Sequence, residues 1–279
     1  MILKQKKMNV NSKTALLTGA GSGIGRAIAL SLAKRNCHLA LVDINSEGLK
    51  ETAAQVSKFG INVSEHILDV RDKASINALP AAINEIHGGI DILINNAGIA
   101  AAGTFLEMSE EVFDQVIDVN FKAMVVITRV FLPQLLDRKE ARIVNISSVY
   151  GLIAPAEQTA YSASKFAVRG FSNALRHELE NTNVGVTVVH PGGVATNIAR
   201  NALISEKLNG QEFTAKLAEQ EKMLTMLPEK AGELIVKAIE GNKARLLVGA
   251  DARLVSLIER VMPVQYWKVL QSLVKLKGV

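Results

Sequence analysis

Short runs of apolar and β-branched residues recur along the chain, separated by longer stretches in which apolar residues return every three or four positions. TALLT from Thr14, HLALV from His38, VSEHIL from Val63 and DILI from Asp91 have the length and side-chain types of buried strands. RIVNIS from Arg142, VGVTVV from Val184 and RLLV from Arg245 continue the series. Helical period governs 23–35, 46–58, 73–87, 109–138, 158–182 and 229–240 between them. This alternation predicts an α/β fold: one doubly wound domain of about seven parallel strands, helices on both faces and right-handed crossovers. No repeat, low-complexity tract or long linker divides the chain. The expected organisation is a basic tail over 1–13, one domain over 14–250 and an amphipathic helical extension over 251–279. Within the domain the alternation lapses into a mostly helical insertion at about 194–228.

Composition narrows the function classes. The 279 residues are 48% apolar and 21% charged, the balance of a packed globule. The net charge of +5 gathers at the ends, where Lys4, Lys6, Lys7 and Lys13, and then Lys268, Lys275 and Lys277, stand without a neighbouring acid. The body between is slightly acidic, so no nucleic-acid partner is expected. MILKQKK lacks the apolar stretch of a secretory leader, and no run reaches the length of a membrane span. The single Cys37 excludes an intrachain disulfide and suits a reducing, cytoplasmic setting. His38, His66, His87, His177 and His190 are scattered, with no ligand spacing, so no metal is expected. No G-x-S-x-G elbow supports hydrolase chemistry.

The exit of the first strand carries the first chemistry. TGAGSGIG places Gly19, Gly23 and Gly25, with Ser22 and Ile24 between them, where a strand opens into a helix. Glycines there let the backbone turn tightly beside a pyrophosphate, and the helix start offers free N–H groups. The second strand ends at Asp43, placed to accept hydrogen bonds from an adenosine ribose. A carboxylate at that point repels a 2′-phosphate by about 4 kcal/mol at ~4 Å and an effective dielectric of ~20. NAD(H) is therefore favoured over NADP(H).

TGAGSGIG, NNAG at 95–98, Asn120 in DVNF, ISS ending at Ser148, YSASK at 161–165 and HPGG at 190–193 occur in one order. Together they resemble the short-chain dehydrogenase/reductase family from about residue 13 to 250. The resemblance implies a Rossmann-type fold and hydride transfer between an alcohol and a carbonyl compound. It implies Tyr161 as general acid/base, with Lys165 lowering its pKa and binding the nicotinamide ribose. The i,i+4 spacing puts those two side chains on one helix face, about 5–6 Å apart at Cβ. Ser148 is implied to polarise the substrate oxygen, and Asn120 to support a proton-relay water. Further implied cofactor contacts are Asp69 and Val70 after the third strand, Asn96, Ala97 and Gly98 after the fourth, and Pro191, Gly192, Val194 and Thr196 after the sixth. A homodimer or homotetramer is implied as well. The alternative is a catalytically idle, cofactor-binding regulator on the same fold.

VYGLIAPA after Ser148 and IAAAGTF after NNAG are mostly apolar. The insertion adds Ile198, Leu203, Ile204, Leu217, Met223, Leu224, Met226 and Leu227, which suits a small lipophilic alcohol or carbonyl substrate. In the tail, Tyr266, Trp267, Val269, Leu270, Leu273, Val274 and Leu276 share one helical arc opposite Gln265, Lys268, Gln271, Ser272 and Lys275. Packing on the body or on a second subunit accounts for that arc. The alternative is a helix in peripheral contact with anionic lipid.

Overall fold

The computed structural model describes residues 7–204, 218 and 224–276. Seven strands form one parallel sheet: β1 (Thr14–Thr18), β2 (His38–Asp43), β3 (Val63–Ile67), β4 (Ile92–Asn95), β6 (Ala141–Ile146), β7 (Val184–Pro191) and β9 (Arg245–Val248). Their order is β3-β2-β1-β4-β6-β7-β9, with every adjacent pair parallel. Helices α1 (Gly23–Ala33), α2 (Ser46–Ser57), α3 (Lys73–His87), α5 (Ala123–Leu136), α6 (Thr159–Glu178) and α7 (Pro228–Glu240) cover the two faces.

The pleat explains why the strands read as unbroken apolar runs. Leu16 and Leu17 of β1 are both fully buried, yet they point to opposite faces. Leu17 joins Ile28 and Leu32 of α1 and Ile235 of α7. Leu16 joins Ile83 of α3 and Phe131 and Leu135 of α5. Burial contributes roughly 1.5–3 kcal/mol for each such side chain. With helices on both sides, neither face of the strand has a polar position to spare.

The strand order runs outward from β1 to β3 in one direction and from β4 to β9 in the other. Ligands of open α/β sheets bind at such a reversal, beyond the carboxyl ends of the strands. The glycine loop after β1 and the NNAG segment after β4 meet there.

Four features depart from the sequence reading. The helix expected over 109–138 is α4 (Glu110–Ile117) and α5, joined by a wide π turn at Asp118–Lys122. A second, two-stranded sheet pairs β5 (Ala101–Ala102) with β8 (Leu203–Ile204), tying the segment after NNAG to the insertion. Strands of two residues carry no period to detect. The tail expected over 1–13 is anchored from Met8, which is buried with Val10 and donates its N–H to the Glu240 carbonyl at 2.8 Å. The histidines are not all dispersed: Ser64 Oγ lies 2.9 Å from both His66 Nε2 and His87 Nε2.

The C-terminal extension forms α8 (Ala250–Val261) and α9 (Tyr266–Leu276). Tyr266, Trp267, Val269 and Leu270 are half-buried, while Gln265, Lys268, Gln271 and Ser272 are exposed. The exposed apolar residues of this region are instead Leu254, Leu257, Val261, Met262 and Val264. Among the insertion residues, Leu217 and Met223 lie outside the described residues. Met226 packs against the core beside Val194 rather than over a pocket.

Candidate active site

The glycine loop is held by the strand next to it. Asn96 donates its side-chain amide to the carbonyls of Thr18 (3.0 Å) and Gly19 (2.9 Å). The backbone N–H groups of Asn96 and Ala97 both donate to Thr18 Oγ1, at 3.0 and 3.1 Å. Gly19 has φ +65°, and a Cβ on Gly25 would overlap the Gly19 carbonyl oxygen. The turn is therefore closed to any larger residue at both positions. Ser22 stands at the start of α1 in extended conformation without capping it through its side chain. Amides of the first turn are thus left without that partner, as an approaching pyrophosphate requires. Thr196 packs its methyl against Gly23, where a Cβ would come within 3.1 Å. The residues present fit a dinucleotide.

Asp43 ends β2 against this loop, accepting from Gly21 N (2.7 Å) and Asn45 N (2.9 Å). Arg26, on α1, pairs with Glu51 at 2.8 Å and donates to the Gly21 carbonyl. Asp69 is engaged differently from expectation. Arg71 grips both of its carboxylate oxygens and also donates its backbone N–H, and this pairing holds the carboxyl below the usual range. Val70, half-buried, packs against the core under the same face.

The catalytic candidates converge from three elements. Ser148 follows β6 and starts a short turn, Val149–Gly151, whose Tyr150 N–H it accepts at 3.1 Å. His190 is fully buried and lies with Nδ1 2.9 Å from the Ser148 carbonyl. A carbonyl can only accept, so Nδ1 carries the proton. Burial pushes His190 down to about 4, which keeps it neutral in that role. Tyr161 and Lys165 come from α6. The Tyr161 hydroxyl hydrogen-bonds with the Ser148 side chain, and its ring meets Tyr150 edge-on at 6.0 Å. Lys165 Nζ lies 5.5 Å from the Tyr161 ring centroid and donates to the Ile146 carbonyl at 3.1 Å.

The electrostatics of this trio run against the sequence expectation. Burial pushes the Tyr161 phenol up to about 12, opposed in part by the bond to Ser148. Burial also lowers Lys165 to about 8. Burial, rather than a neighbouring charge, is the largest influence on both groups.

Asn120 sits in the π turn, where its side chain accepts from Ile99 N (2.8 Å) and donates to Ile99 O (2.9 Å) and Ser164 Oγ (3.0 Å). It clamps the segment after NNAG. Gly98 leaves room for both groups, since a Cβ there would stand 3.1 Å from Asn120 Oδ1 and 3.4 Å from Lys165 Nζ.

With this geometry in view, the chain matches the short chain dehydrogenase family model over residues 13–207. The chain belongs to that family. SadH of Mycobacterium tuberculosis, an oxidoreductase by designation, is 38% identical over 262 residues, covering 93% of this chain and 94% of SadH. The oxidoreductase UcpA of Salmonella typhimurium is 38% identical over 230 residues, covering 81% of this chain and 86% of UcpA. A short-chain dehydrogenase/reductase from Burkholderia phymatum, solved in complex with NAD, superposes with a TM-score of 0.85 at 31% identity over 92% of this chain and 96% of its own. This chain is an oxidoreductase of the short-chain dehydrogenase family, with its Rossmann-type nucleotide-binding fold.

Several contributors escape a sequence reading. Ser164, inside YSASK, links Asn120 to the Tyr161 carbonyl at 2.7 Å. Ser147 holds the Lys165 carbonyl at 2.8 Å. Asp251 of α8 accepts from Gly193 N at 2.6 Å, and a Cβ on Gly192 would overlap that carboxylate. Ser147 and Ser164 each adjoin a motif residue, and that adjacency was the available signal. Asp251 had none, because it lies 58 residues from its partner.

Proposed function

We propose that this short-chain dehydrogenase interconverts a lipophilic alcohol and its carbonyl compound, with NAD(H) rather than NADP(H). The observation that carries the reading is the gathering of Ser148, Tyr161 and Lys165, with Lys165 beside Gly98 in the segment that braces the glycine loop. The bound nicotinamide supplies the hydride acceptor or donor and, when oxidised, a positive charge beside the phenol. Gly19, Ser22, Gly23, Ile24 and Gly25 would hold its pyrophosphate, Asp43 would take the adenosine ribose, and Ala97, Gly98, Pro191, Gly192, Val194 and Thr196 would line the remainder of the site.

The chain's own groups handle the proton. Ser148 Oγ donates to the substrate oxygen, and Tyr161 Oη gives that oxygen its proton on reduction or takes it on oxidation. A phenol pushed up to about 12 is fully protonated at neutral pH, the form that carbonyl reduction requires, though a weaker acid than a free phenol. Oxidation needs the phenolate, which a cation placed near the phenol oxygen favours. Asn120 holds Ile99 and Ser164, and so fixes the wall along which a relay water would reach Lys165.

The apolar segment Val149–Ala156 meets Tyr161 through Tyr150, Ile99 and Ala101 pack with Ala160 beside it in sequence, and Ile198 and Leu227 are exposed, which supports a lipophilic substrate. A homo-oligomer across the outer faces of α5 and α6, where Leu136 and Phe166 stay exposed, belongs to the same reading. The half-buried arc of α9 supports packing on the body over contact with lipid for that helix.

Absorbance at the reduced-nicotinamide band, with NAD or NADP and a graded panel of alcohols, tests the proposal. Turnover rising with apolar chain length, faster with NAD and lost in Tyr161→Phe, is expected. Turnover that prefers a small polar hydroxy acid, or that survives loss of the phenol hydroxyl, overturns it.

A further inference from the structure

Behind the catalytic turn lies a half-open cleft of about 400 Å³, lined by Arg169, Arg245, Ser256, Glu259, Arg260 and Pro263. Three guanidinium groups face one carboxylate. Elsewhere Arg26 pairs with Glu51, Arg35 with Glu233 and Glu240, Arg71 with Asp69, and Arg142 with Glu140, while Arg138 and Arg176 spend their N–H groups on backbone carbonyls. Arg169, Arg245 and Arg260 form no ion pair among the described residues. Arg169 donates to the Gly151 carbonyl at 3.3 Å and Arg245 to Ser256 Oγ at 3.1 Å, so most of their N–H groups remain unspent. Burial lowers the Arg245 pKa most, and repulsion from Arg169 and Arg260 acts in the same direction while Glu259 opposes it. Cations gathered in this way are stabilised by an anion with several oxygens, and the guanidinium fork matches phosphate.

We propose that this cleft binds a phosphate group, which ties the C-terminal helices to the catalytic turn. A phosphate dianion cancels the excess positive charge of the cleft. It would bridge Arg169, on the helix that carries Tyr161 and Lys165, to Arg245 on β9 and Arg260 on α8. The chain that leaves α8 leads to Tyr266, whose hydroxyl accepts from Ala154 N at 3.1 Å on the substrate side. Occupancy therefore stiffens the segment Val149–Ala156 from two directions. None of the redox residues takes part, so the site stands or falls apart from the redox reading.

Calorimetric titration of inorganic phosphate into the full chain, saturated with NAD to cover the glycine loop and held at constant ionic strength with chloride, tests it. One phosphate per chain is expected, weakened at least about tenfold by Arg245→Gln or Arg260→Gln and unchanged by Arg253→Gln. Arg245, Arg253 and Arg260 are all exposed, so the three variants keep the fold, as circular dichroism will verify. Absence of binding, or binding that all three substitutions weaken alike, overturns the proposal. Sedimentation with phosphatidic acid vesicles separates the sources. Co-sedimentation lost in Arg260→Gln assigns a lipid headgroup, and phosphate binding without co-sedimentation assigns a soluble phosphate ester; either result supports the site.

Discussion

Lys165 approaches Tyr161 through its ring, with Nζ 5.5 Å from the centroid, while its hydrogen bond goes to the Ile146 carbonyl. Burial holds the ammonium at about 8 against an ordinary 10.5. Between those values the unfolded chain binds a proton that the folded chain lacks, so stability attributable to Lys165 rises with pH across that window. Below it the buried charge is a fixed cost. Lys165→Met should raise the free energy of urea unfolding at pH 7 by about 1–3 kcal/mol, allowing for the lost bond to Ile146. The advantage should shrink towards pH 10, and activity should fall sharply. A variant less stable than the parent at pH 7 contradicts this account.

Tyr161→Phe removes only the hydroxyl that meets Ser148. Loss of a positioned general acid lowers turnover by about 100- to 10,000-fold. NADH affinity, followed by nucleotide fluorescence, should stay within about twofold.

Asp43→Asn removes the negative charge next to Gly21 while leaving an oxygen to accept its N–H. The ratio of kcat/KM for NADP over NAD should rise by about 10- to 100-fold, less than the full like-charge repulsion because the site is partly screened. Initial rates with each nucleotide measure it, and an unchanged ratio removes Asp43 from the cofactor site.

Tyr266→Phe deletes the acceptor for the Ala154 N–H. One neutral hydrogen bond is worth about 1 kcal/mol, so KM for the apolar substrate should rise about three- to tenfold while KM for NAD holds. Equal changes in both would point to general loosening instead.

Much of this architecture was legible because its strands are buried on both faces. β1, β2 and β7 read as apolar runs for the same reason that Leu16 and Leu17 find separate cores. The glycine loop, NNAG, Ser148 and HPGG were legible as segments that follow strands, and Tyr161 and Lys165 through their i,i+4 spacing on one helix. What stayed hidden depends on contacts between distant segments. The clamp of Asn120 on Ile99, the seat of Asp251 at Gly193 and the gathering of Arg169, Arg245 and Arg260 join parts of the chain with no common period. Spacing along a helix tells of the proximity of Tyr161 to Lys165, and nothing of the burial that acts on either group.

The wide turn at Asp118–Lys122 acts as a phase corrector. At about 100° per residue, Val116 and Leu135 fall roughly 100° apart around an uninterrupted helix, yet both are fully buried. One surplus residue, absorbed in a single loosened coil, shifts the inward stripe between the two helices, so that Val116 and Leu135 each reach a core, and leaves Asn120 buried at the seam. Excising any one residue from that coil would restore a regular spiral and twist either the lower stripe or the amide out of the protein's interior.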